Sequence, residues 1–60
     1  MTKKQFSKLK VGDVLRQPDM DVIWHIVGVR RNKLGRKVYE VVSDTRKALA
    51  ITPKLWVLVE

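Results

Sequence analysis

The stretch "VIWHIVGVRRNKLGRKVYEVVSD", Val22 to Asp44, decides the fold class. Both of its flanks are dense in β-branched and aromatic residues, which suit a pleated surface, and the connection between them, Asn32 to Gly35, has turn composition. It therefore reads as a β-hairpin: strand VIWHIVGVRR, connection NKLG, strand KVYEVVSD. Working outward, "VGDVLR" supplies a Gly-Asp turn and a short apolar strand. "RQPDMD" is a loop, because Pro18 lacks a ladder donor and Asp19 and Asp21 mark a turn. Downstream, "TRK" turns the chain into "ALAIT", "PKL" makes a tight turn, and "WVLVE" is a last strand. Five such short strands cannot make an ordinary two-sheet sandwich, but they can wrap into a small, strongly bent all-β barrel.

The first ten residues read differently. "TKKQ" has capping-box spacing from Thr2 to Gln5, and Phe6 and Leu9 lie three apart, which suits one helical turn packed on the barrel. A flexible basic arm fits the same residues. The expected organisation is thus a single domain, with residues 1–10 as arm or helical turn and 11–60 as the barrel.

Over residues 8 to 60 the layout resembles the SH3-like small β-barrels of the Tudor and KOW type. "KLKVGDVL" is similar to the entry into their first strand and "VYEVVSD" to their third, and "ITPKLWVLVE" resembles the single 3₁₀ turn that precedes their last strand. The resemblance implies a five-stranded barrel with a short 3₁₀ turn before the last strand. In the KOW-like families such a barrel is often a nucleic-acid or ribonucleoprotein module.

Sixty residues allow one core, and a domain of that size buries only about 60% of the surface its unfolded chain exposes. Without Cys there is no disulfide or thiolate metal site to staple it, so packing of the 45% apolar residues must hold the fold. A reducing cytoplasm is the expected compartment. The early lysines of "MTKKQFSKLK" are not followed by an apolar stretch of signal-peptide length. The longest apolar run, "VIWHIVGV", is broken by His25 and Gly28 and falls far below the roughly 18 residues that cross a bilayer, so no membrane association is expected.

Thirteen Lys and Arg against six Asp and Glu give a net charge of +7, with a pI near 10.3, in the range of nucleic-acid-binding domains. Five of the cations, Arg30, Arg31, Lys33, Arg36 and Lys37, crowd into the hairpin turn. In an antiparallel hairpin residues alternate faces, so Arg30 and Lys37 can sit side by side on one face, with Arg31 and Arg36 flanking the turn and Lys33 at its tip. Like charges placed together repel, and a polyphosphate would relieve that repulsion: Arg forks onto phosphate oxygens and Lys acts as a point charge. The bland alternative is a solvated tip that discourages edge-to-edge aggregation. Further basic groups lie at the N-terminus, Lys3, Lys4, Lys8 and Lys10, and in the later turn, Arg46 and Lys47. On one side of the barrel they would form a continuous anion surface; scattered, they are solubilising charge. Asp19 and Asp21, sharing one loop, suggest an acidic end opposite a basic one.

Trp24, Tyr39 and Trp56 all fall within strands, where a core this small needs large side chains. Tyr39 and Val41 read as an inward pair. Core or half-buried is the favoured reading for each of the three. Trp24 is the one best placed to be an exposed base-stacker instead, since Ile23, Ile26, Val27 and Val29 of its strand could fill the core without it, and it joins the candidate contacts on that ground. With only Phe6 besides these three, neither a methyl-lysine or methyl-arginine cage nor a polyproline groove finds enough aromatic rings.

Catalysis has little to use. His25 is the one His, and no Ser has a base and orienting acid placed beside it. The carboxylates of "DMD" are too few for a hard-cation site, and the glycines at 12, 28 and 35 form no phosphate loop. The expected protein is a binder without catalytic residues, metal or cofactor. It would contact DNA or RNA phosphates through the β2–β3 hairpin, helped by Lys8, Lys10, Arg46, Lys47 and Trp24, with low sequence specificity. The rival expectation is a protein-interaction module or small inhibitor that docks on an acidic partner or adds a strand at an open sheet edge.

Overall fold

The computed structural model describes residues 1–59. In chain order it holds a short helix α1 (Lys3–Ser7) and strands β1 (Val14–Arg16), β2 (Ile23–Arg31), β3 (Lys37–Val42) and β4 (Lys47–Ala50). A 3₁₀ turn (Pro53–Leu55) and a short β5 (Val57–Leu58) follow. All pairings are antiparallel, in the order β4-β3-β2-β1-β5. The five expected strands and the 3₁₀ turn before the last one are present, with Pro53 at the start of that turn, where its missing N–H costs nothing. The sheet is open: β4 and β5 are its two edges, with no ladder between them among the described residues.

The N-terminal segment is helical. The Thr2 hydroxyl accepts from the Gln5 backbone N–H at 3.1 Å while the Gln5 side chain accepts from the Thr2 N–H at 3.0 Å, which completes the capping box. Five residues cannot hold a helix alone in water. Burial of Phe6 in the core anchors this one, and Leu9 just beyond it is buried too.

One irregularity sets the faces of the sheet. Along β2, Ile26 lies opposite Val41 and Gly28 opposite Glu40, so Val27 is an extra residue, a β-bulge. Before the bulge Trp24 and Ile26 point inward; after it Val29 and Arg31 occupy the core-side face, opposite Tyr39 and Lys37. Arg30 is thereby turned to the outer face, opposite Val38. The expected pairing of Arg30 beside Lys37 is corrected: the two lie on opposite faces.

The core comprises Phe6, Leu9, Leu15, Trp24, Ile26, Tyr39, Val41, Ala50 and Trp56. Tyr39 and Val41 form the inward pair, and Trp56 is buried. Trp24 overturns its expectation as an exposed stacker, being only 6% exposed and edge-on to Trp56, with ring centroids 5.8 Å apart. The reason is the parity of β2. Ile23 and Val27 face outward and Val29 stands beyond the core, all of them exposed, so Trp24 and Ile26 alone fill the interior from this strand.

Candidate nucleic-acid interface

The hairpin turn is built by Asn32 and Gly35. The Asn32 side-chain oxygen accepts from the backbone N–H groups of Leu34 and Arg36, at 2.9 and 3.0 Å, and Gly35 takes a φ of +78°, which glycine adopts without strain. The Asn32 N–H donates to the Arg36 carbonyl and closes the loop. This turn projects Lys33 and Leu34 into solvent, Leu34 being 78% exposed.

Two cations on the core-side face of the hairpin are held by backbone carbonyls. The Arg31 Nη1 donates to the Gly35 carbonyl at 2.7 Å. The Lys37 Nζ reaches across to α1 and donates to the Ser7 carbonyl at 2.8 Å. Both side chains are positioned while their full charge remains. Arg36 and, from the first turn of α1, Lys3 join them around a cleft of about 420 Å³, whose other walls are Phe6, Ser7, Ile51 and Pro53. Among the described residues no carboxylate lines it. Lys3 sits where the helix macrodipole disfavours a cation, and α1 has no acidic residue in its first turn.

Arg30 has a different environment. On the outer face its Nε lies 3.1 Å from Glu40 Oε1, the ion pair found among the described residues. Around it, Val27, Val42, Lys47 and Leu49 border an outer hollow of about 430 Å³. The hairpin thus carries unneutralised cations on one face and a paired one on the other.

The remaining predicted residues separate. Lys8 caps α1, with its backbone N–H donating to Gln5, and Lys10 is exposed in the following loop, its N–H on the Asp13 carboxylate at 3.0 Å. At the far end of β3, roughly 17 Å from the hairpin turn at the usual rise per strand residue, Arg46 lies in the turn before β4 and Lys47 is the first residue of that strand, bordering the outer hollow with Arg30. The surface is therefore continuous between hairpin and helix, and the third basic group stands apart from it. Trp24 is inside. Ile51 and Pro53 were absent from the expected site, and Lys3 was named only within the N-terminal basic group; the capping box could have singled out Lys3, because it fixes that residue on a helix whose Phe6 must reach the core. Ile51 and Pro53 meet the hairpin only through the fold, and nothing local in the sequence points to them.

His25 lies on the outer face opposite Val42. Among the described residues no three His, Cys, Asp or Glu side chains are grouped to hold a metal ion, and no helix is long and apolar enough to cross a membrane. No family model matches the chain, and neither a curated protein nor a solved structure is significantly similar to it.

Proposed function

We propose that this chain is a small module of the SH3-like barrel type that binds DNA or RNA through phosphates with little sequence specificity. The barrel assignment draws support from β1 lying between β2 and β5, from the 3₁₀ turn directly before β5, and from a core shared by Ala50 of one edge strand and Trp56 beside the other. The observation that carries the binding function is the cleft where Lys3, Arg31, Arg36 and Lys37 converge with no carboxylate among the described residues that line it. A phosphate entering it meets donors already in place, so little side-chain entropy is lost on binding. Phosphates carry no base code, and all four aromatic rings are buried, so stacking adds no selectivity. Binding to duplex DNA, single-stranded DNA and RNA, titrated with salt, tests the proposal: affinity must fall steeply as salt rises.

A second reading, protein interaction, is favoured by the outer face. Leu49, about half exposed, lies on the edge strand β4, where an extended segment could add a strand, and the half-exposed Val27 of β2 borders the same outer hollow. Absence of nucleic-acid binding at low salt would transfer the function to this face.

A further inference from the structure

Resting on the phosphate-binding proposal, we infer that the cleft between α1 and the hairpin takes one unpaired nucleotide, so that the ligand is a single strand rather than a duplex. Phosphate recognition alone requires a row of cations on an accessible surface. This site has more: a concavity of about 420 Å³ lined both by cations and by the apolar residues Phe6, Ile51 and Pro53. A duplex presents a ridge of phosphates and keeps its bases stacked inside, which leaves an apolar wall without a partner. An unpaired nucleotide is amphipathic in the same sense as the cleft, with a charged phosphate joined to a sugar and a flat, weakly polar base.

The donors retain capacity for it. The Lys37 ammonium has three N–H groups and the Arg31 guanidinium five, and one of each is used on a backbone carbonyl. Lys3 and Arg36 are exposed at the rim. In the same lining, Ile51 is 55% exposed although it directly follows the buried Ala50, so its side chain is available to the sugar and base. Because the Phe6 ring is buried and the exposed part of the wall is aliphatic, the contact is weaker than stacking on an aromatic ring and does not distinguish one base from another.

The test compares a single-stranded oligonucleotide with the duplex made from it, for the parent protein, Ile51→Ser and Lys3→Ala, with unfolding midpoints measured alongside. The expected result is tighter binding of the single strand. Ile51→Ser then weakens single-strand binding roughly fivefold, the low end of a base contact, without changing its salt slope or the duplex affinity. Lys3→Ala lowers the slope on the single strand by about 0.7. Equal affinity for the two forms, or an Ile51→Ser variant that binds the single strand like the parent, overturns the nucleotide inference while phosphate binding stands. Failure of the parent to bind either form at low salt overturns both.

Discussion

Tyr39 meets Phe6 twice: its ring takes the Phe6 ring edge-on, with centroids 4.9 Å apart and planes at 88°, and its hydroxyl donates to the Phe6 carbonyl. One side chain of β3 thus fastens α1 by its apolar face and by its polar tip. Tyr39→Phe keeps the first contact and loses the second. The Phe6 carbonyl still accepts from the Leu9 N–H at 3.3 Å, so it is not orphaned, and the expected loss is about 1 kcal/mol. Tyr39→Ala should cost about 3 kcal/mol or more, because the ring is fully buried. Urea midpoints of the two variants check both values.

The same phenol predicts behaviour at alkaline pH. Burial pushes its pKa above the ordinary 10.0; the Leu9 backbone hydrogen bond opposes this and the Asp13 charge adds to it. The unfolded chain therefore releases this proton first, and the native state holds more protons once pH passes 10. Stability contributed by the neutral phenol is complete below that pH and declines as pH rises through the folded-state value. Tyr39 is the one tyrosine of the chain, so tyrosinate absorbance reports it directly. The difference in stability between the parent and Tyr39→Phe should shrink with rising pH; a constant difference contradicts the prediction.

The capping box predicts a local effect. Thr2→Ala removes the acceptor for the Gln5 N–H and should cost about 1 kcal/mol. Its effect should concentrate in the amides of α1, which hydrogen exchange resolves from those of β2 and β3.

The two faces of the hairpin predict opposite salt behaviour. On duplex DNA each phosphate contact contributes about 0.9 to the slope of log affinity against log salt. Arg31→Ala and Arg36→Ala should each lower it by about that amount. Arg30→Ala should leave it nearly unchanged, since Glu40 already neutralises Arg30. Equal effects at Arg30 and Arg31 would mean that the outer face also touches the ligand.

Glycine at position 35 should prove costly to replace. Its φ of +78° strains any L side chain, though no atom lies within 4 Å of a built Cβ, so Gly35→Ala should cost about 1 kcal/mol through backbone strain alone. Denaturant midpoints measure it.

How much was legible in the sequence depends on which interactions are local. The hairpin, its Asn32–Gly35 turn, the Thr2–Gln5 box and the turn at Pro53 are written in consecutive residues, and each was readable. The placement of Arg30 was not, because it depends on the bulge at Val27, nor was the burial of Trp24, which shares the parity of Ile26 and not that of Ile23, Val27 and Val29. Strand side chains alternate with period two, and one extra residue exchanges the faces of all that follow. Gly28 was a visible hint, since glycine inside a strand often marks such a break, but only the pairing with β3 shows where the extra residue sits. The cleft was half legible: its hairpin cations stand together in sequence, whereas Lys3 and Ile51 arrive from opposite ends of the chain.

The burial of all four aromatic rings has a consequence for how such a protein can change over generations. The residues that hold the fold and those that line the cleft's charged rim are almost wholly separate sets. Substitutions at Lys3, Arg31 or Arg36 draw little on a stability reserve that is small in a chain of this length. The charge and reach of the rim are therefore free to drift, and one scaffold can be re-aimed at new anionic ligands without first being made more stable.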